Sequence, residues 1–343
     1  MRSPAAILVQ LGAPLEIWDL ELPLLLPGQV LVEMAYSGFC HSQLNEMRGL
    51  KGEDRFLPHT LGHEGAGRVL EIGSEVTKVR PGDHVVVSWI KGRGRDVPGC
   101  QYLSERGRVN SGAVSTFLKQ TILSENRVIP IPPEMPLREA ALLGCAIPTG
   151  AGVVNREMDL KEGDSFVVFG VGGVGLSALL AAKMAKAYPR IAVDIHEDKL
   201  QKAKMLGATH LVNGSVQDPV EAIREITGGR GASFVFESAG RREAMERGFA
   251  SLKVGGLCVL AGNLPKGEKI SIDPFDLILG KRLVGTWGGK SQIDEDVLSY
   301  TESYLKKGMP LADLITHEIS LEEINTLPQL LERGVVGRAL IKF

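Results

Sequence analysis

Along the chain, apolar and polar positions follow two different rhythms. From the N-terminus to about residue 140, short apolar runs of strand length recur between turn signals. They are Ala6–Val9, Gln29–Ala35, Gly67–Ile72 and His84–Ser88, punctuated by Pro27–Gly28 and Pro81–Gly82. Such runs between Pro and Gly predict β-strands, so this stretch reads as mostly β. After about Ile147 strands and helices alternate: a strand at Ser165–Phe169, a helix from Val174, a strand at Arg190–Asp194, a helix from Asp198 and a strand at His210–Val212. A helix from Asp218, a strand at Ser233–Phe236, a helix over Arg242–Leu252 and a strand at Leu257–Leu260 continue the pattern. Alternation of this kind requires crossover connections and predicts an α/β, doubly wound parallel sheet. The tail holds a helical period at Asp294–Lys306 and a strand-like close at Arg338–Phe343, and the pattern alone allows it to return to either domain. Lys91–Ser111, rich in Gly and Arg, has the least pattern and reads as a long loop.

The length of 343 residues suits two domains, each able to bury its own core. A net charge of -2 with both signs interspersed provides no long-range field to gather nucleic acid or an anionic membrane, so a small molecule is the expected partner. No apolar run approaches the length of a membrane span, and the opening Met1–Arg2–Ser3–Pro4 lacks the pattern of a secretory signal; a cytoplasmic protein is expected. The four cysteines, Cys40, Cys100, Cys145 and Cys258, are scattered singly, which points to reduced thiols rather than a disulfide framework. Cys258 falls inside a predicted strand and reads as core packing.

The first chemical signal is Gly170–Val171–Gly172–Gly173–Val174–Gly175, a G-x-G-x-x-G turn between the apolar strand Phe166–Phe169 and the helix that follows. In a dinucleotide-binding turn, Gly170 permits the tight bend, Gly172 lets backbone approach the pyrophosphate, and Gly175 lets helix pack on strand, with the helix N-terminus facing the phosphates. Asp194 closes the next strand, where a carboxylate can bond ribose hydroxyls and repel a 2′-phosphate. NAD is therefore expected rather than NADP. The second signal is chemical rather than patterned: Cys40, His63 and Cys145 offer two thiolates and an imidazole, a ligand set suited to zinc with one position left open. Their spacing is not diagnostic in itself, because single Cys and His residues are commonly core or structural groups.

Further stretches complete a wider pattern: Gly38–Phe39–Cys40–His41–Ser42, Gly62–His63–Glu64–Gly65–Ala66–Gly67, Lys78–Val79–Arg80–Pro81–Gly82–Asp83 and Pro148–Thr149–Gly150. With the Gly170 turn and the close of the chain, these resemble the zinc-containing alcohol dehydrogenases of the medium-chain dehydrogenase/reductase superfamily over nearly the whole length. The resemblance implies a GroES-like catalytic domain from residues 1–146 and 288–343, and a Rossmann NAD-binding domain from residues 147–287. It implies one catalytic zinc on Cys40, His63 and Cys145, with Glu64 beside it and Ser42 taking the proton of the alcohol. It places His41 at the cofactor pyrophosphate, Thr149 against the nicotinamide, Gly173 and Val174 in the phosphate turn, Asp194 and Lys199 at the ribose, and Arg241 and Arg338 at the adenosine side and pyrophosphate. Met47, Trp89 and Asn263 become pocket positions, Asn263 hinting at a polar or polyol-like substrate. The expected reaction is reversible oxidation of an alcohol by NAD, in a homo-oligomer. Lys199 and Arg241 also read as solvated helix charges, Ser42 as a turn hydroxyl, and Asn263 as turn chemistry.

The chain departs from that family's pattern at two points beside the metal. Gln43 stands where an Asp is usual and Asn45 where a His commonly ends the proton relay, so the outer-shell charge and the relay terminus are both changed. Only Cys100 remains in the segment where many relatives hold a structural zinc on four cysteines, so none is expected here. The basic residues Lys91, Arg93, Arg95, Arg106 and Arg108 read either as a solvated loop or as a receiver for an acidic group. Two alternatives to the leading reading remain: a zinc-independent NAD(P)H reductase of the same superfamily, and a catalytically silent NAD-binding regulator.

Overall fold

A computed structural model describes residues 2–334 and 337–343 of the chain. The chain divides into two compact units, Met1–Cys145 with Gln292–Phe343, and Ala146–Ser291. Ten strands lie in the first segment: β1 (Arg2–Leu8), β2 (Glu16–Glu21), β3 (Gln29–Phe39), β4 (His59–Thr60), β5 (Glu64–Ile72), β6 (His84–Ser88), β7 (Gln101–Ser104), β8 (Gly107–Asn110), β9 (Gln120–Ser124) and β10 (Val128–Pro130). Two short helices accompany them, α1 (His41–Met47) and α2 (Leu137–Ala140). The second unit holds α3 (Ala146–Gly152), β11 (Phe166–Phe169), α4 (Gly173–Met184), β12 (Arg190–Asp194), α5 (Glu197–Leu206), β13 (His210–Asn213), α6 (Pro219–Ile226), β14 (Ala232–Glu237), α7 (Arg242–Ala250), β15 (Leu252–Leu260), α8 (Pro274–Ile278) and β16 (Arg282–Gly285). The chain then returns to the first unit with α9 (Ile293–Lys307), β17 (His317–Ser320), α10 (Leu327–Glu332) and β18 (Ala339–Lys342).

The first unit contains a closed barrel, β1-β2-β7-β8-β4, and a sheet ordered β10-β6-β5-β3-β18-β17 with β9 paired to β3. β3 is the spine of that sheet. It is long enough to pair with β5 from Val30 to Ser37, with β9 from Gln29 to Glu33 and with β18 from Tyr36 to Phe39, Ala339 lying opposite Phe39 and Lys342 opposite Tyr36. The tail therefore belongs to this unit because its strand completes the sheet, a pairing that apolar pattern alone does not specify. Fully buried Phe39 and Phe117 stack with ring centroids 5.4 Å apart, and the tail's Leu327, Ala339 and Ile341 join the same core. Burying side chains of this size contributes about 1.5–3 kcal/mol each.

The expectation of a long loop over Lys91–Ser111 is corrected: its second half is the antiparallel hairpin β7–β8, which closes the barrel. Val109 and Tyr102 are buried there, and the alternation is too short to stand out amid exposed polar neighbours. The first half is held from outside by carboxylates. Glu125 accepts the backbone N–H groups of Thr77 (2.6 Å), Arg95 (2.7 Å) and Lys78 (2.8 Å), while Asp294 accepts that of Arg93 at 2.5 Å. Lys91, Arg93, Arg95 and Arg106 lie beside Asp96, Asp294, Glu75 and Glu16 respectively. Paired in this way, they form local ion pairs, which favours the structural reading of the basic segment over the receiver reading.

The second unit is a six-stranded parallel sheet, β13-β12-β11-β14-β15-β16, with crossover helices between successive strands. Its central strand β11 is buried throughout and reads as the continuous apolar run Phe166–Phe169, while the edge strand β16 is largely exposed. Cys258 is fully buried in its core beside Val167 and Val235. Among the described residues no single helix is long and apolar enough to cross a membrane.

Candidate functional site

Three pieces of local structure bring the thiol and imidazole groups together. Cys40 follows β3 and caps α1, and its backbone N–H donates to Gln43 Oε1 at 3.1 Å, fixing the start of the helix. His63 leads into β5. Cys145 follows the turn Ala141–Gly144, whose Gly144 carbonyl accepts a bond from the buried Ser88 hydroxyl at 2.6 Å. The ligand atoms of Cys40, His63 and Cys145 all lie within 4.8 Å of one another, with His63 Nε2 3.3 Å from Cys145 Sγ. Two sulfurs and an imidazole nitrogen at this separation fit zinc, and the three leave a fourth position free. The Cys40 thiol is held well below its usual range, first by its hydrogen bond with Cys145 and then by Arg338 and His63, against the opposing effect of burial. A thiolate is the form a metal needs.

Two buried groups stand behind this cluster. Glu64, the first residue of β5, forms an ion pair with Arg338, whose guanidinium is almost fully buried. The space it occupies exists only because residue 38 is glycine: a Cβ there would sit 2.0 Å from Glu64 Oε1. Gln43 is buried, and its Nε2 faces His63 Nδ1. The orientation of that amide decides the tautomer of the ring. With Nε2 donating, Nδ1 is bare and the proton sits on the nitrogen that faces the thiols. With the amide turned, Oε1 accepts Nδ1–H and Nε2 is free to ligate. The donor set thus fits zinc with Gln43 Oε1 toward the ring, an orientation that gives up the Cys40 N–H bond to that oxygen.

A cavity of about 330 Å³ opens beside His63, lined among others by Ser42, Glu46, Lys51, Asp54, His59 and Trp89. Lys51 Nζ donates to Ser42 Oγ at 3.1 Å and to Glu46 Oε2 at 2.8 Å. Asp54 meets His59 Nε2 at 2.8 Å and accepts the Phe56 N–H at 2.9 Å. Burial pushes the Asp54 carboxyl up, but these partners outweigh it and hold it below the ordinary value. Glu46, Asp54 and His59 come within 4.8 Å of one another, yet Lys51 and His59 already engage the carboxylates, so this group is a hydrogen-bonded polar network. The Trp89 ring meets His63 edge-on, with centroids 6.4 Å apart, and Arg127 holds the Trp89 carbonyl.

In the second unit the Gly170 turn joins β11 to α4. Gly170 has φ +85, and a Cβ there would lie 2.7 Å from Ala239 N; a Cβ on Gly175 would meet Gly170 O at 2.0 Å. At Gly172, by contrast, nothing lies within 4 Å of that position. Gly172 also caps α4 without any side-chain bond to the first helical N–H groups, so Gly173 and Val174 begin a helix whose positive end is open to an anion. Asp194, at the end of β12, accepts Val171 N–H at 3.0 Å, Ile195 N–H at 2.8 Å and His196 N–H at 3.0 Å, tying strand to turn. Thr149 on α3 is buried, and its Oγ1 has no hydrogen-bond partner among the described residues, as a hydroxyl reserved for a bound group would. These features fit a dinucleotide.

Comparison with known proteins gives the family of both units. Residues 26–133 match the family model for the alcohol dehydrogenase GroES-like domain, and residues 173–303 that for zinc-binding dehydrogenase. S-(hydroxymethyl)glutathione dehydrogenase of Synechocystis is 32% identical over the full length of both chains. The chain belongs to the zinc-containing alcohol dehydrogenases of the medium-chain superfamily. The benzyl alcohol dehydrogenase of Acinetobacter calcoaceticus, 32% identical, superposes with a TM-score of 0.91 over 100% of this chain and 99% of its own. An alcohol dehydrogenase zinc-binding domain protein of Burkholderia ambifaria, 31% identical, reaches 0.92 with the same coverage.

Within this zinc alcohol dehydrogenase scaffold the sequence-derived residues fall unevenly. Cys40, His63, Cys145, Glu64 and Arg338 share one cluster, and Ser42 and Trp89 line the cavity. Met47 is buried in the hydrophobic core with Leu44 and Leu61, on the inward face of α1, and is not among the residues lining the cavity. His41 is exposed at the first position of α1, Lys199 is half-buried on α5, and Arg241 is exposed at the head of α7. Asn263 lies exposed after β15, its backbone packed against Gly240. Glu46, Lys51, Asp54 and His59 are among the cavity residues that sequence reasoning did not single out. Glu46 was detectable, being four positions after Ser42 on one helix face. Lys51, Asp54 and His59 arrive by an aperiodic segment and carry no such signal.

Proposed function

We propose that the protein is an NAD-linked, zinc-dependent dehydrogenase of polar alcohols, working reversibly with one catalytic zinc per chain. The observation that carries the reading is the Cys40, His63 and Cys145 cluster beside a cavity whose wall is rich in paired donors and acceptors. Zinc, when bound there, supplies Lewis acidity and the nicotinamide accepts or returns hydride. Ser42 would take the alcohol proton, and the Lys51 ammonium, which donates to both Ser42 and Glu46, would steady the oxygen as the proton leaves, since Asn45 cannot exchange one. Trp89 supplies a flat apolar wall, while Glu46, Lys51 and Asp54 favour a substrate carrying hydroxyl, amide or zwitterionic groups over a plain aliphatic alcohol. The named relatives act on S-(hydroxymethyl)glutathione and on benzyl alcohol, and the first kind of substrate matches this polar wall better.

The test is a panel of polyols, hydroxymethyl thiol adducts, aryl and aliphatic alcohols followed by NADH absorbance, with zinc measured on the same samples. Turnover with polar alcohols and stoichiometric zinc supports the reading; absence of zinc with chelator-insensitive turnover sinks it in favour of a zinc-independent reductase. That second reading draws on Gln43, whose amide as oriented leaves the proton of His63 on the side of the thiols. No absorbance change with any alcohol, with NAD bound, would instead make the chain a silent regulator.

We also propose a homo-oligomer formed through the second unit. β16 is an edge strand, and Phe275, Ile278 and Trp287 beside it are 58%, 77% and 84% exposed. Unpaired edges with apolar flanks invite a second copy. A monomer in sedimentation equilibrium at micromolar concentration would exclude it.

A further inference from the structure

In the second unit, β11 and β14 lie side by side although two strands separate them in sequence, so the direction of connection reverses between them. Ligands of open α/β sheets settle outside the carboxyl ends of the strands at such a point. After β11 comes the Gly170 turn. At the end of β14 stands Glu237, in register with Phe169 on one side and Leu260 on the other. Its side chain is fully buried, a costly place for a carboxylate without compensation.

Glu237 Oε1 accepts the N–H groups of Ala239 and Gly240, each at 2.8 Å. Oε2 has no hydrogen-bond partner among the described residues and lies 2.5 Å from where a Cβ on Gly262 would be. The segment gripped by Oε1 is the one that packs on the nucleotide turn. Ser238 Oγ donates to Gly170 O at 2.8 Å, and Ala239 fills the space beside Gly170. The connection from carboxylate to loop to turn is direct.

We infer that Glu237 is a positioning residue for the dinucleotide, its carboxylate clamping the 238–241 segment against the Gly170 turn. The inference rests on the proposal that the turn binds NAD. Bonds to an ionised acceptor are roughly twice as strong as neutral ones, so the anion is the clamping form. Burial pushes Glu237 up to about 7, against the pull of the N–H groups of Gly240, Ala239, Arg241 and Gly262. Its titratable neighbours are Cys258 on β15, whose thiol burial and the Glu237 charge hold above the ordinary range, and Arg241, whose side chain is exposed. Because binding favours the anion, dinucleotide affinity rises as pH rises through about 7 and levels off beyond it.

Dissociation constants for NAD and for ADP-ribose are to be measured by fluorescence titration of the whole protein at about pH 6, 7 and 8, with melting curves at each pH. For the unmodified protein, affinity should tighten about 3- to 10-fold across that range. E237Q, nearly isosteric and neutral throughout, should bind with a flat profile at the weak end, whereas E237D should keep a pH-dependent profile. A purely structural role would lower melting temperature without removing the pH dependence. The inference is overturned if E237Q keeps the original slope, or if the unmodified protein shows none. Should E237Q fail to fold, loss of the slope in E237D overturns it equally. If no dinucleotide binds at any pH, the nucleotide proposal itself fails and this inference falls with it, a result distinct from binding without pH dependence.

Discussion

Arg338 and Glu64, 274 positions apart in sequence, form an ion pair in which the carboxylate is fully buried and the guanidinium nearly so. Removing one member of such a pair leaves the other as an uncompensated charge. R338M should therefore cost about 3–5 kcal/mol of stability by denaturant unfolding. The double variant R338M/E64L should recover part of that loss. A double variant no more stable than R338M would show that the pair is not what the single substitution breaks.

Gln43 offers a direct probe of the metal cluster. Loss of an outer-shell partner lowers metal affinity about 10- to 100-fold, and restoring a carboxylate should act in the opposite direction. Q43D should raise zinc affinity by about that factor in competition with a chromogenic chelator, since a carboxylate accepts Nδ1–H in either rotamer. C145A should lose bound zinc and turnover together. Full zinc content in C145A would remove Cys145 from the ligand set.

Asp194 ties the Gly170 turn to β12 through the Val171 N–H and holds the start of the next segment through those of Ile195 and His196, so its replacement loses both the turn's anchor and the ribose carboxylate. D194S should raise KM for NAD roughly 10- to 100-fold, the equivalent of one or two charged hydrogen bonds, and narrow the preference for NAD over NADP. Unchanged discrimination between the two cofactors would leave Asp194 only its anchoring role.

Glu125 links pH to the fixing of the 91–97 segment. Burial raises its carboxyl, but the N–H groups of Arg95, Thr77 and Lys78 prevail, leaving it below the ordinary value of 4.5. A group with a lowered folded-state value adds stability above its unfolded value and loses it as pH falls through the folded one. E125Q should thus be about 1–3 kcal/mol less stable than the unmodified protein near neutral pH, the difference fading below about pH 4. A constant deficit down to pH 3 would point to packing instead of charge.

How much of this was legible in the sequence depended on distance along the chain. The parallel sheet was readable because its central strands carry continuous apolar runs such as Phe166–Phe169, and the nucleotide turn because its glycines lie close together. The cavity wall was not: Lys51, Asp54 and His59 acquire meaning only when an aperiodic segment folds beside Ser42. Met47, a pocket position by resemblance alone, sits on the inward face of its helix in the core that holds Leu44 and Leu61. The hairpin β7–β8 was missed because two four-residue strands with mostly polar, exposed positions leave too few buried residues to show a period.

The pairing of β18 with β3 also sets an order of assembly. Between those strands the chain encodes the whole parallel-sheet unit, so during synthesis that unit can emerge and fold while β3 still lacks its neighbour and Glu64 its counter-charge. The metal-bearing half must wait for its closing strand. Until then the edge of β3 that receives β18 stays open, a template for wrong pairing while synthesis continues.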